Sequence, residues 1–232
     1  MRKAAWVVAG LVLAGVSGCG LAGDDDLRYR VTVDVTTPDG VKSGSSVMSL
    51  KLERGFPTAY QPTFRGEAVA VDVAPGATLF LLIDDTVMNL PFKVFMRTGL
   101  LSKAVQARLD YDSIAYVDFL RDHEGASAPL DCKVHRGGFT TECPRFVRFR
   151  NIGDPKSVEA VDAANLAARF GPGVALKSVT ITITDEPVTT GIEKRLEWLG
   201  THPETRLDKE YTGSTNPFLS EQLANYNFRR EK

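Results

Sequence analysis

The chain lacks the residues and motifs that mark the commonest catalytic and metal sites. Its 232 residues include only three cysteines and three histidines. The patterns G-x-S-x-G, H-E-x-x-H and G-x-x-x-x-G-K-[ST] do not occur in it, although each encodes a geometry that its chemistry needs. We therefore expect no cofactor, no metal ion and no catalytic residue of these classes.

The chain also lacks an excess of positive charge. It has 28 basic and 29 acidic residues, and no run of lysine and arginine interleaved with aromatic residues occurs. Arg229, Arg230 and Lys232 form a short basic group near the C-terminus. We interpret it as a solvated chain end, with a role at a membrane surface as the alternative. The charge pattern therefore predicts no nucleic-acid partner.

One long apolar run is present, at the beginning of the chain. Arg2 and Lys3 precede it, and no charged residue occurs between Ala4 and Gly23. This order is typical of an export signal. Val16, Ser17, Gly18 and Cys19 resemble the lipobox of bacterial lipoproteins. The resemblance implies that the Cys19 sulfur is alkylated, that the chain is cut before Cys19, and that the new amine is acylated.

An uncleaved membrane helix is the alternative for this segment, because the run is long enough to span a bilayer. Its five glycines between positions 10 and 23 argue against it, since glycine lowers helix propensity and hydrophobicity. Two or more acyl chains would anchor the protein stably. In the lipoprotein family a residue such as Gly20 after the cysteine, rather than aspartate, implies sorting to the outer membrane. We therefore expect a location on its periplasmic face.

Four segments follow from this interpretation. Residues 1–18 are the expected signal peptide, residues 19–26 the lipidated N-terminus and an acidic tether, residues 27–199 a single α+β domain, and residues 200–232 a polar C-terminal extension with a terminal helix. A domain of this length can bury a true core.

Strand patterns dominate the expected domain. Apolar residues alternate with polar ones from Tyr29 to Val35, and again from Val179 to Ile183, as in half-buried strands. The run from Leu79 to Ile83 is apolar at every position, which predicts a central strand covered on both faces. Residues 55–65, with two prolines, are expected to form a loop. These patterns predict a β-rich α+β fold with a mainly antiparallel sheet.

Helix signals are short and scattered. We expect helices near Pro91, from about residue 113 to Asp122, from Asp162 to Phe170, and from about Gly191 to Leu199. A final amphipathic helix is expected after Asn216-Pro217, with apolar residues at positions 218, 219, 223 and 226. Such a helix packs on its own domain or, alternatively, binds a partner.

Cys132 and Cys143 are the cysteines that remain if Cys19 is acylated. Between them Gly137 and Gly138 suggest a hairpin turn, and an exported protein meets an oxidising compartment. We expect a disulfide. Two free thiols, or a metal site that includes His135, are the alternatives, and two sulfurs with one imidazole make a poor zinc site.

Part of the mature chain resembles a family of small envelope proteins from bacteria. The similarity lies in FRNIGDPKSVEAV, which starts at Phe149, and continues through LAARFGPGVALKSVTITITDEPVTTGIEKRLEWL, which ends at Leu199. The resemblance implies an envelope role and supplies no catalytic residue.

Binding rather than turnover is the function that we expect. The partner would be an envelope protein or peptidoglycan, in addition to the membrane that holds the anchor. A carrier of a small apolar ligand and a hydrolase are the alternatives. For a hydrolase, Asp84 and Asp85 follow the most buried strand, and His123, with Asp131 and His135, is the nearest approach to an acid/base cluster.

Overall fold

The computed structural model describes residues 26–53, 61–95, 113–130, 143–200, 205–208 and 218–231. Strands dominate these residues. In chain order the strands are β1 (Leu27–Thr37), β2 (Gly40–Glu53), β3 (Gln61–Glu67), β4 (Val69–Ala74), β5 (Ala77–Leu81), β6 (Ser127–Pro129), β7 (Phe146–Phe149), β8 (Val158–Val161), β9 (Ala175–Ile183) and β10 (Arg229–Arg230).

The helices are short. They are α1 (Asp85–Met88), α2 (Leu90–Phe95), α3 (Ser113–Arg121), α4 (Ala167–Phe170) and α5 (Leu219–Gln222), with 3-10 turns at Pro155–Ser157, Ile192–Lys194 and Asn225–Asn227. No helix of the described residues is long and apolar enough to cross a membrane.

The larger sheet has six strands in the order β10-β3-β2-β1-β9-β6, and every paired neighbour is antiparallel. Its central strand β1 carries the alternation seen in the sequence: Tyr29, Val31 and Val33 are fully buried, and the residues between them are partly exposed. The paired strand β9 buries Val179, Ile181 and Ile183 in the same way. Both predicted half-buried strands are therefore confirmed.

The smaller sheet has four antiparallel strands in the order β4-β5-β7-β8. In β5 and the residue after it, Leu79 and Leu81 belong to the larger apolar cluster of the core, whereas Phe80 and Leu82 belong to a second, smaller cluster. The strand is thus covered on both faces, as the unbroken apolar run predicts.

The two sheets pack closely, and a glycine permits the contact. A Cβ atom built on Gly44 of β2 would lie 2.1 Å from the carbonyl oxygen of Ala70 in β4. No side chain fits at that distance, so the backbones approach each other only because position 44 has none. The larger cluster, which includes β1, β4 and β5 residues, fills the space beside this contact.

The C-terminal residues form an outer layer on the smaller sheet. Phe228 is fully buried, with its ring against Phe80, Phe149 and Trp198 at centroid distances of 5.6–6.2 Å. The terminal helix expected after residue 217 is a single turn, α5. Leu223 beyond it is also buried.

Three local expectations were wrong. Residues 61–65 belong to β3 rather than to a loop. The helix expected from Asp162 is only α4, because the Asp162 carboxylate binds the N–H of Ala164 and offers the backbone an alternative to the helix. The helix expected from residue 191 to residue 199 is the 3-10 turn Ile192–Lys194.

The fold class is therefore confirmed at the level of a β-rich α+β protein with mainly antiparallel sheets. The predicted disulfide is not part of that result. Cys143 is described and packs against the larger cluster, but Cys132 lies outside the described residues, so the pairing stays a prediction.

Candidate functional site

A groove lies where β3, the segment after β9 and the C-terminal strand β10 meet, and we call it the C-terminal groove. Its volume is about 420 Å³, within the range of about 300–1,000 Å³ that small-ligand pockets occupy. The residues that line it are Arg65, Gly66, Glu67, Pro187, Val188, Thr189, Thr190, Glu193, Arg229, Arg230 and Glu231.

The first wall is held by a buried carboxylate. Glu67 is only 4 % exposed, and its two oxygens accept the backbone N–H groups of Gly191 at 2.8 Å and Ile192 at 2.9 Å. Burial raises the pKa of Glu67, and the two backbone hydrogen bonds oppose that shift. Because both oxygens are engaged, Glu67 fixes the start of the 3-10 turn Ile192–Lys194 against β3.

The second wall is the extended segment before that turn, Pro187 to Thr190. Thr189 holds it to β2, because its N–H donates to the carbonyl oxygen of Val47 at 3.0 Å and its hydroxyl oxygen accepts the N–H of Val47 at 2.8 Å. The N–H groups of Val188 and Thr190 donate to no partner among the described residues. The segment is therefore fixed at its middle residue and has unpaired backbone donors on both sides of it.

The third wall is the C-terminal strand β10, whose Arg229 opposes Glu67 in the pairing with β3. The Arg229 guanidinium lies 3.6 Å from the Glu193 carboxylate and 3.3 Å from the Glu231 carboxylate, and it donates to the carbonyl oxygen of Gly200 at 3.1 Å. Its charge is therefore compensated within the groove.

Arg230, the other residue of β10, is held differently. Its guanidinium lies 5.2 Å from the centre of the Tyr226 ring, a distance at which the ring face attracts a cation. It also contacts the sulfur of Met88 at 3.3 Å and the carbonyl oxygen of Tyr226 at 3.4 Å. These contacts orient the side chain but supply no opposite charge.

Arg65 differs from the other two groove cations in having a buried nitrogen without a hydrogen-bond partner among the described residues. It is half-buried, and its Nε atom is shielded from solvent without a hydrogen-bond partner in the described part of the chain. No described carboxylate lies within ion-pair distance of its guanidinium. A buried donor without a partner is costly, so Arg65 is the group in this groove that an incoming anion would satisfy.

Two other described cavities contain arginines that already have partners. One of about 490 Å³ contains Asp72 and Arg195, whose side chains pair at 3.0 Å. That hydrogen bond from Arg195 is the largest cause of the lowered pKa of Asp72. The other, of about 190 Å³, contains Arg28, which donates to the Asp185 and Glu186 carbonyl oxygens, and Arg121, which pairs with Asp118. The C-terminal groove is therefore the stronger candidate.

Asp84 and Asp85, the acidic residues considered for a hydrolase, lie at the start of α1. Asp84 accepts the N–H of Val87 at 3.0 Å and thereby caps α1, and its second oxygen accepts the N–H of Arg145 at 3.3 Å. Asp85 begins α1. Because both Asp84 oxygens accept backbone N–H groups, the Asp84 carboxylate is not free to face a substrate.

His123 lies just after α3. Its Nδ1 atom is 2.7 Å from the carbonyl oxygen of Phe119, and its ring stacks on the Phe119 ring at a centroid distance of 4.2 Å. The other members of the predicted acid/base cluster, Asp131 and His135, lie outside the described residues. The described residues contain no group of three or more histidine, cysteine or acidic side chains that could hold a metal ion.

Two further predicted site residues, Cys19 for lipidation and Cys132 for the disulfide, lie outside the described residues. The residues of the groove were not predicted as a binding site. Arg65 falls in the region expected to be a loop, and Glu67 looks like the polar first residue of a strand. Arg229 and Arg230, interpreted as part of a solvated chain end, are held in β10 by contacts with side chains. Four of the eleven groove residues, Pro187 to Thr190, lie in DEPVTTG, which is part of the stretch that resembles envelope proteins.

Comparison with known proteins finds no matching family model, no match among curated proteins and no match among solved structures.

Proposed function

We propose that this protein is a lipid-anchored envelope protein on the periplasmic face of the outer membrane, and that it binds a partner rather than catalysing a reaction. The lipobox-like residues Val16 to Cys19 support the anchor. The first strand, β1, begins at Leu27, which is fully buried. Only seven residues of the sequence separate Cys19 from Leu27, so an anchor at Cys19 would hold the domain close to the lipid.

The C-terminal groove is the observation that carries the binding function. Its walls are fixed by Glu67 and Thr189, and its cation Arg65 has no described partner. A site whose walls are already ordered loses little conformational entropy when a ligand enters, which favours binding. An envelope protein or peptidoglycan is the partner that fits the proposed location.

The two alternative functions have less support. A carrier of an apolar ligand needs an enclosed apolar cavity, whereas six charged side chains line the C-terminal groove: Arg65, Glu67, Glu193, Arg229, Arg230 and Glu231. A hydrolase that uses Asp84 would need that carboxylate to face a substrate, but both of its oxygens accept backbone N–H groups.

The disulfide between Cys132 and Cys143 belongs to the same proposal, since the envelope is an oxidising compartment. In the chain-entropy model a loop of this size contributes about 3 kcal/mol. Titration of thiols in the denatured, unreduced protein should find no free thiol once the Cys19 sulfur is alkylated. Two reactive thiols would contradict the bridge.

Photo-crosslinking in cells tests the binding function. A photoreactive residue is placed at Thr190 in the groove, at Lys177 on the exposed part of β9 as the matched control, and at Thr190 in a Cys19→Ala background. We expect a discrete crosslinked product from Thr190 only, and its loss or weakening when the anchor is removed.

Two outcomes would contradict the proposal. No product from Thr190 would show that the groove is not in contact with a partner. The same products from Thr190 and Lys177 would show random collisions rather than a binding site.

A further inference from the structure

The C-terminal groove combines two features that need different kinds of partner atom. Arg65 supplies a cation whose Nε donor is buried and unpaired. Val188 and Thr190 supply backbone N–H and carbonyl groups that have no hydrogen-bond partner among the described residues. An anion alone would use the first feature only, and a neutral strand would use the second only.

The wall from Pro187 to Thr190 has the backbone pattern of a sheet edge. Its middle residue, Thr189, binds β2 through both its N–H and its hydroxyl group, and the residues on either side of it are left unpaired. Such an edge is what an extended peptide pairs with when it adds a strand to a sheet.

The charges of the groove specify what this peptide carries. Arg229 is compensated by Glu193 and Glu231, and Glu67 is engaged by two backbone N–H groups. Neither Arg65 nor Arg230 has an opposite charge among the described residues, but the Arg230 guanidinium is held by the Tyr226 ring and the Met88 sulfur. Arg65 is therefore the groove cation whose buried donor is unpaired in the described part of the chain. Planar guanidinium groups pair with carboxylates through two parallel hydrogen bonds, so a carboxylate is the group that complements Arg65.

We infer that the C-terminal groove binds a short extended peptide segment with an acidic side chain, whose backbone pairs with residues 188–190 and whose carboxylate binds Arg65. This inference rests on the proposed binding function and names the chemistry of its partner. The groove volume of about 420 Å³ restricts the bound segment to a few residues.

The test uses the full-length protein in detergent micelles and three fluorescent pentapeptide libraries. The first has glutamate at the central position and randomised flanks. The second has glutamine at the centre, and the third has glutamate at the centre with the two flanking amides N-methylated. Binding is measured by fluorescence anisotropy, with free acetate as the competitor that represents a simple anion.

We expect the glutamate library to bind at least tenfold more tightly than the glutamine library and the N-methylated library. Acetate should compete weakly, because it lacks the backbone groups. These comparisons change only the ligand, so they do not depend on whether a protein variant folds.

Protein variants then test whether Arg65 binds the acidic side chain of the peptide. Arg65→Gln should weaken binding of the glutamate library at least tenfold, Arg65→Lys should weaken it less, and Lys42→Gln, an exposed cation outside the groove, should leave it unchanged. Far-ultraviolet circular dichroism checks that each variant is folded.

Three results would overturn the inference. These are equal binding of the glutamate and glutamine libraries, full competition by acetate, and no binding of any library. If no library binds while Thr190 still crosslinks to a partner in cells, the proposed binding function stands and only the acidic peptide is excluded.

Discussion

Glu67 is a buried acid that supports the groove instead of reacting in it. Burial raises its pKa above the usual value of 4.5, and its two oxygens hold Gly191 and Ile192. The folded protein therefore binds a proton at this site more readily than the unfolded chain does. By linkage, the stability that this raised pKa contributes is fully present below pH 4.5. It is lost as the pH rises through the higher pKa that Glu67 has in the folded protein.

Glu67→Gln tests this description. The amide has one acceptor oxygen for two N–H groups, so we expect the variant to be less stable by about 1–3 kcal/mol at pH 5, the cost of an unsatisfied buried donor. The stability difference between wild type and variant should shrink as the pH rises from 4.5 to 8. Urea unfolding at several pH values measures it, and a difference that grows with pH would contradict the sign.

Sequence reasoning missed the groove residues because nothing local distinguishes them. Arg65 and Glu67 are ordinary polar residues next to a proline-containing segment. Glu67 is distinguished by hydrogen bonds to Gly191 and Ile192, more than 120 positions away. Arg65 is distinguished by a buried nitrogen that has no hydrogen-bond partner among the described residues. Asp84 shows the converse: a conspicuous acidic residue after a buried strand that serves as a helix cap.

At the scale of elements, the contact between the two sheets depends on Gly44. Gly44→Ala would place a methyl group 2.1 Å from the Ala70 carbonyl oxygen, so the strands must separate. We expect a loss of about 3 kcal/mol, the upper end of the usual cost of overpacking. Gly200→Ala is the matched control, because a Cβ atom there meets nothing within 4 Å. Thermal unfolding compares them, and equal melting temperatures would contradict the close approach.

Substitutions of two phenylalanines test whether the C-terminal segment packs on the core. Phe228 is fully buried among aromatic rings, whereas Phe218 is 78 % exposed. Phe228→Ala should cost about 3–5 kcal/mol, and Phe218→Ala should change stability by less than about 0.5 kcal/mol. Urea unfolding followed by tryptophan fluorescence measures both. Equal small losses would show that the C-terminal layer is not part of the core.

Elements with a strong hydrophobic period were predictable, and the others were not. β1, β5 and β9 follow from apolar positions that repeat at every second residue or at every residue. By contrast, β3, β8 and β10 are short or contain a proline. They form strands because neighbouring strands pair with them. The helix expected from Asp162 failed because side chains of Asp162 and Asn165 bind nearby N–H groups.

At the scale of the whole molecule, the functional proposal joins two independent parts. The proposed peptide binding rests on the geometry of the C-terminal groove, and the proposed location rests on the sequence of the first nineteen residues. Each proposal can therefore fail without the other.

Intact mass with membrane fractionation, for wild type and Cys19→Ala in a cell that processes lipoproteins, tests the proposed anchor. We expect a membrane-bound, tri-acylated protein that begins at Cys19, and a variant that is released or kept as an unprocessed precursor. An unmodified full-length mass for the wild type would contradict the anchor and, with it, the proposed location.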